Sequence, residues 1–236
     1  MNQELFQQGL DALHLSVTEK QIGQFVAYSA LLKEWNEKIN LTAIVDDDGI
    51  AVKHFLDSVL PLAHVEVPEG ASLADVGTGA GFPGLPIKIL RPDLKVTLID
   101  SLQKRIRFLE TVCKDLSIED VTCIHGRAEE LGKDKAYREQ FDVLVSRAVA
   151  NLKVLCEYCL PFVKVGGVFV ALKAQELDEE LALAKPMIGE LGGKIKAVIE
   201  APLPESDMVR KLVVISKVLP TPPRFPRRAN KIKSGK

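Results

Sequence analysis

Two carboxylates and a cluster of glycines carry the first chemical signal in this chain. Asp75 ends the apolar run Leu73-Ala-Asp-Val76, and the chain then breaks into Gly77, Gly79 and Gly81, while Asp100 closes a second apolar run, Val96-Thr-Leu-Ile-Asp100. A buried strand that enters a glycine turn lets bare backbone approach a ligand closely. A carboxylate at the end of the next strand is placed to accept hydrogen bonds from ribose hydroxyls. Together they point to an adenosine-containing cofactor.

The elements that must hold those residues follow from the apolar patterns around them. From Ser72 onward, strands are expected near 72–76, 95–100, 121–125, 141–146, 167–173, 194–200 and 210–217, with helices near 84–90, 102–116, 151–163 and 176–191. Such alternation implies a doubly wound parallel sheet with helices on both faces. The link Ala201 to Val209, with Pro202 and Pro204, has no room for a crossover helix, so the last two strands are expected to be antiparallel. Residues 1–65 show helical patterns and no strand: Thr18 with Gln21 forms a capping-box signature ahead of Ile22, Phe25, Val26, Ser29, Leu32 and Trp35. A further helix is expected from the Asp46-Asp-Asp48 cluster to Leu60. The organisation is therefore a helical cap (1–65), an α/β domain (66–217) and a basic, proline-rich tail (218–236).

In an open α/β sheet the ligand lies outside the carboxyl ends of the strands, so the residues after each strand define the site. They are Gly77, Gly79, Gly81 and Phe82; Asp100; Gly126-Arg-Ala-Glu129; Ser146-Arg147-Ala148; and Lys173. A literal G-x-G-x-x-G at Gly79, Gly81 and Gly84 keeps a nicotinamide-dependent oxidoreductase in play. The acid falls 16 residues beyond Gly84, and Pro83 interrupts the fingerprint. S-adenosylmethionine, which has no phosphates and needs no helix N-terminus aimed at an anion, is the preferred cofactor.

Composition bounds the rest. The net charge of −1 conceals an asymmetry: Arg224, Arg227, Arg228, Lys231, Lys233 and Lys236 lie in a tail without acids, which leaves −7 on residues 1–217. That tail is expected to be extended and peripheral, with a polyanion as partner. No stretch approaches the roughly 18 apolar residues of a spanning helix, so no membrane association and a cytoplasmic location are expected. Cys113, Cys123, Cys156 and Cys159 are read as reduced core residues, and no metal set is apparent.

Several motifs in sequence order carry a resemblance. Trp35-Asn36 with Asn40-Leu-Thr42, His54-Phe-Leu-Asp-Ser58, Asp75 through Gly84, Arg127-Ala-Glu129, Ser146-Arg-Ala148 and the Pro-Arg-rich end resemble the RsmG (glucose-inhibited division protein B) family over nearly the whole chain. The resemblance implies a class I S-adenosylmethionine-dependent methyltransferase fold, Rossmann-like, with seven strands. It also implies methylation of guanine N7 in 16S ribosomal RNA near the decoding site. Carried onto matching positions, cofactor contacts fall on Gly77, Gly79, Phe82, Ala128, Glu129 and Arg147, with Asp100 at the ribose. Where the family pattern has Leu-Lys-Gly, this chain has Leu172-Lys173-Ala174.

Guanine N7 is an unprotonated lone pair at neutral pH, so positioning rather than a general base is expected to supply most of the catalysis. Arg147 is the expected catalytic residue, orienting base or cofactor; the alternative is a structural salt bridge to Glu129 or another carboxylate. Arg224, Arg227, Arg228, Lys231 and Lys173 are expected at RNA phosphates of the 16S RNA or small subunit, and a monomer is the expected state. His54 and Asp57 are expected to form a surface i,i+3 pair, with RNA or cofactor contact as the alternative for His54; Asn36 and Asn40 to cap a helix, the resemblance alone implying instead a lid facing the site; and Lys104, Arg105 and Arg107 to make a solvated or RNA-facing surface. A noncatalytic ribosome-binding module is the remaining alternative.

Overall fold

The computed structural model describes residues 1–147, 150–174 and 176–234. The N-terminal cap is helical: α1 (Gln3–Ala12), α2 (Glu19–Ile39) and α3 (Asp47–Gly49), which runs through a π-helical segment, Ile50–Leu56, into α4 (Asp57–His64). The capping box of α2 closes in both directions, with Gln21 N donating to Thr18 Oγ1 at 3.3 Å and Thr18 N to Gln21 Oε1 at 2.8 Å. Gln21 Nε2 also donates to Ile89 O at 2.6 Å, so the cap is fastened to the domain at its first turn.

Strands β1 (Ser72–Val76), β2 (Lys95–Asp100), β3 (Val121–His125), β4 (Phe141–Arg147), β5 (Val163–Lys173), β6 (Gly193–Pro202) and β7 (Val209–Lys217) form one sheet in the order β3-β2-β1-β4-β5-β7-β6. The pairs from β3 through β5 are parallel, and β7 runs antiparallel to both β5 and β6. The antiparallel last strand is the one expected from the short 202–209 link. Its place is inside the sheet, between β5 and β6. The buried run Leu212–Ile215 fits that central position, whereas β6 alternates buried and exposed residues as an edge strand does.

Helices α5 (Gly84–Leu90), α6 (Gln103–Asp115), α7 (Ala128–Leu131), α8 (Leu152–Cys159) and α9 (Asp178–Glu190) follow the strands in turn. The period of two along β1 divides the core, with Leu73 facing one layer and Ala74 and Val76 the other. The first layer is continuous with the cap, where Phe6, Phe25, Tyr28 and Phe55 pack with Leu85, Leu98 and Leu109. The second holds Leu155, Phe162 and Ile188 against Phe169 and Ile215, and includes the buried Cys156 and Cys159.

The tail departs from the extended, peripheral path expected of it. Arg138 donates to Phe225 O at 2.8 Å and Thr221 O at 2.6 Å, Phe225 is buried, and α10 (Ala229–Ser234) packs Ile232 inward beside α8. Burying one Phe stabilises by about 2 kcal/mol, enough, with charge-assisted bonds to carbonyls, to offset ordering a proline-restricted segment. Lys217 Nζ secures the approach to this turn, donating to Leu160 O at 2.7 Å and Thr221 Oγ1 at 2.7 Å, and lying 3.1 Å from Glu139 Oε1.

Candidate active site

The carboxyl ends of β1 to β4 meet at one rim, and the turn after β1 is shaped by its glycines. Gly77 and Gly79 have φ of 75° and 62°, left-handed values that a side chain disfavours. The N–H groups of Gly77 and Thr78 donate to Ile99 O at 2.9 and 3.1 Å, which draws the turn onto β2. A Cβ on Gly81 would lie 2.3 Å from Tyr28 Oη, and the Tyr28 hydroxyl donates to Ala80 O. The cap thus presses on the turn from above.

Asp75 supports the turn from below. Its Oδ2 accepts from Gly84 N at 2.8 Å and Thr78 Oγ1 at 2.7 Å, and it is fully buried. The third glycine of the G-x-G-x-x-G string therefore spends its N–H on an internal carboxylate.

The structure brings Gly77, Gly79, Phe82, Asp100, Ala128, Glu129 and Arg147 to the lining of one cleft of about 540 Å³. Asp100 Oδ1 accepts from Leu102 N at 2.9 Å, and Oδ2 from Gly79 N at 3.0 Å and Arg105 Nη1 at 3.2 Å. An ionised carboxylate has about four acceptor sites, so at least one remains, and the partly exposed Arg105 can release another. The donor set therefore fits a nucleoside diol at Asp100 beside bare backbone at Gly77–Gly79.

Arg147 is held by a carboxylate other than Glu129. Asp57, at the start of α4, accepts from Arg147 Nη1 at 2.8 Å and from Arg210 Nε at 2.8 Å, with its side chain 2 % exposed. Arg147 also donates to Lys53 O at 3.1 Å, and its guanidinium carbon sits 5.2 Å from the centre of the Phe82 ring. His54 stacks on Phe82 at 4.6 Å and 12°, and its Nε2 lies 2.8 Å from Thr42 Oγ1. The expected surface pair of His54 and Asp57 is corrected: both are buried, and their partners are Thr42 and two arginines. Asn36 and Asn40 have the capping geometry expected of them, since Asn40 takes a φ of 47° and Asn36 Oδ1 accepts from Leu41 N and Thr42 N. The cap thereby sets Thr42, Thr42 sets His54, and His54 with Phe82 backs Arg147. Tyr28 and Arg210 were absent from the sequence reading, Thr42 entered it only within a motif, and Asp57 only as a surface partner of His54; an acid inside the apolar run Phe55 to Leu60 was the signal available for its burial.

The basic candidates fall into two groups. Arg228 and Lys231 are exposed, as is Arg224, which lies 3.2 Å from Glu190 Oε2. Arg227 forms a two-pronged pair with buried Glu157, the closer contact at 2.7 Å, and Lys173 Nζ reaches Glu180 Oε1 at 2.9 Å and Ala150 O at 3.0 Å. Among the described residues no cluster of metal-binding side chains occurs, and no helix is long and apolar enough to cross a membrane.

Burial moves two titrations in opposite directions. Burial, reinforced by the Arg147 charge, lowers the His54 imidazole from 6.5 to about 4. Burial raises Asp75 to about 7 against the opposing bonds from Thr78 and Gly84. With its folded pKa below the unfolded one, His54 costs stability as pH falls from 6.5 toward 4. Asp75 has the opposite sign, because the folded protein takes up its proton first, and it adds stability as pH falls from 7 toward 4. The His54→Gln variant removes only the first slope. Its unfolding free energy is expected to gain on the parent by up to about 3 kcal/mol between pH 7.5 and pH 4. Thermal or urea melts of both proteins across that range check this, and parallel curves would contradict it.

With this geometry in place, similarity to known proteins is informative. Residues 21–202 match the GidB family, rRNA small subunit methyltransferase G. The chain is 48% identical to ribosomal RNA small subunit methyltransferase G of Clostridium botulinum (strain Loch Maree / Type A3) over 229 residues, covering 97% of this chain and 96% of that protein. The chain belongs to this family. A second member, from Acetivibrio thermocellus, is 48% identical over 228 residues, covering 97% of this chain and 93% of its own length. Among solved structures, an Aquifex aeolicus SAM-dependent methyltransferase has a TM-score of 0.54 at 18% identity, covering 78% of this chain and 97% of that one. Aeropyrum pernix fibrillarin, solved with natively bound S-adenosyl-L-methionine, has a TM-score of 0.51 at 18% identity, covering 67% and 73%. These likenesses establish the class I methyltransferase fold that the family resemblance implied.

Proposed function

We propose that this chain methylates guanine N7 in 16S ribosomal RNA, near the decoding site, using S-adenosylmethionine. Family membership supports the reaction class, and the cleft between the Gly77–Gly79 turn and Asp100 is the observation that carries the cofactor. Asp100 would hold the ribose, the bare backbone of Gly77–Gly79 the amino-acid portion, and Ala128 with Glu129 the adenosine end. When bound, the cofactor would supply a sulfonium methyl that the N7 lone pair attacks directly, the C–S bond breaking to release the neutral thioether S-adenosylhomocysteine, with no proton removed beforehand.

The side chains around the cleft suit that chemistry. His54 is neutral at working pH and is fixed between Thr42 and Phe82, so it shapes the site rather than acting as a base. Arg147 has Nη1 committed to Asp57 and Lys53, which leaves its remaining N–H groups to orient ligand. Arg228, Lys231 and Arg224 lie on an exposed surface suited to phosphate contacts that position RNA without reading its sequence.

Incubating the protein with methyl-labelled S-adenosylmethionine and small ribosomal subunits, then mapping N7-methylguanosine, tests the reading. A single modified guanine in 16S RNA is expected. Label at another atom, or none, would overturn it.

A further inference from the structure

A second cleft of about 580 Å³ adjoins the first and shares Arg147 and His54 with it. It opens at the carboxyl end of β5, between Leu172, Lys173 and Glu180 on one side and Ile44 and Arg210 on the other. Its volume exceeds that of a purine severalfold.

Besides the Asp57 carboxylate with its two arginines, and Lys53, His54 and Glu176, the polar lining of the second cleft holds the ion pair Lys173 Nζ to Glu180 Oε1 at 2.9 Å. Oε1 also accepts from Leu152 N at 2.8 Å, and Nζ also donates to Ala150 O at 3.0 Å. An ammonium has three N–H groups, so one stays available, and Glu180 Oε2 makes no hydrogen bond within the described residues. The pair therefore presents one donor beside one acceptor. Guanine offers the complement on its Watson–Crick edge, with O6 accepting next to N1–H and N2–H donating. Adenine offers the reverse order, N6–H donating beside an N1 acceptor, and so sets like against like at both contacts.

We propose that Lys173 and Glu180 read the Watson–Crick edge of the acceptor guanine, Lys173 donating to O6 and Glu180 Oε2 accepting from N1–H and N2–H. This rests on the guanine-N7 reading above and gives that reading its base selectivity. N7 alkylation leaves positive charge on the purine ring, and a carboxylate on the opposite edge favours the state in which that charge develops. Lys173 becomes a base contact rather than the phosphate contact expected from its position alone.

The test uses full-length protein saturated with S-adenosylhomocysteine, so that nucleotides cannot enter the cofactor cleft, titrated with guanosine, inosine and adenosine 5′-monophosphates by calorimetry. The parent is expected to bind the guanosine nucleotide about ten-fold more tightly than the adenosine nucleotide, with the inosine nucleotide, which lacks N2–H, in between. In Glu180→Gln that ratio falls toward one, and kcat/KM for methyl transfer to small-subunit RNA falls about 100-fold, while S-adenosylhomocysteine affinity stays within about twofold. A loss of folding in Glu180→Gln would weaken binding of all three nucleotides and of S-adenosylhomocysteine alike; Lys173→Met, which spares the Leu152 contact, then provides the nucleotide ratio. Absence of nucleotide preference in the parent, or a ratio unchanged in both variants, overturns the proposal. Failure of the guanine-N7 reading itself shows separately, as a parent that moves no methyl group to the RNA.

Discussion

Replacing Arg147 by alanine is expected to lower kcat/KM for methyl transfer by about 100- to 1000-fold, the loss typical of removing a preorganised donor from a reacting centre. The stability cost is expected to be smaller, about 1–3 kcal/mol, because Asp57 retains its bond to Arg210. Arg147 is the charged side chain common to the two adjoining clefts, and its plane is fixed by Asp57, Lys53 O and the face of Phe82. Lysine at this position keeps the charge but has neither the fork nor the flat face, so Arg147→Lys is expected to recover less than ten-fold. Steady-state methyl transfer beside thermal melts checks both variants. Unchanged transfer in Arg147→Ala would remove the residue from the chemistry.

Asp57→Asn is expected to cost more stability than any other single change at the site. The Asp57 carboxylate is almost fully buried and neutralises two guanidinium groups, one from β4 and one from β7, while belonging itself to the cap. Breaking a buried pair leaves charge uncompensated and typically costs about 3–5 kcal/mol. An amide of the same shape still accepts one hydrogen bond, which places the expected loss at the lower end, near 3 kcal/mol. For a chain of this size that is a fall in Tm of roughly 6–12 °C. Methyl transfer is expected to fall with it, because Arg147 loses its anchor. A Tm within about 2 °C of the parent would show that Asp57 is bystander rather than clasp.

The strands were legible because most are apolar runs, and β6 an alternating one, bounded by glycine, proline or a charged end, and the residues after the parallel strands fell at the rim as the rule for open sheets requires. Gly77, Asp100 and Arg147 were found in that way. The insertion of β7 between β5 and β6 was not legible, since a short link fixes direction but not the neighbour a hairpin takes. His54 and Asp57 were read on a regular helical surface; the segment before Asp57 is π-helical, and burial of both depends on cap-to-sheet packing that no local period reports. The tail misled through its composition. Prolines suggested an extended end, while the decisive residues lay elsewhere, in Arg138 with its three carbonyl partners from 221 to 225 and in Glu157, the lone acid of an apolar helix, waiting for Arg227.

The most direct measurement is a crystal structure of the protein with S-adenosylhomocysteine. The expected density lies in the first cleft, with both ribose hydroxyls on Asp100, the amino-acid portion along Gly77–Gly79, and the sulfur facing the side that Arg147 shares with the second cleft. Density elsewhere, or a ribose that leaves Asp100 bonded only to Gly79, Leu102 and Arg105, would contradict the account.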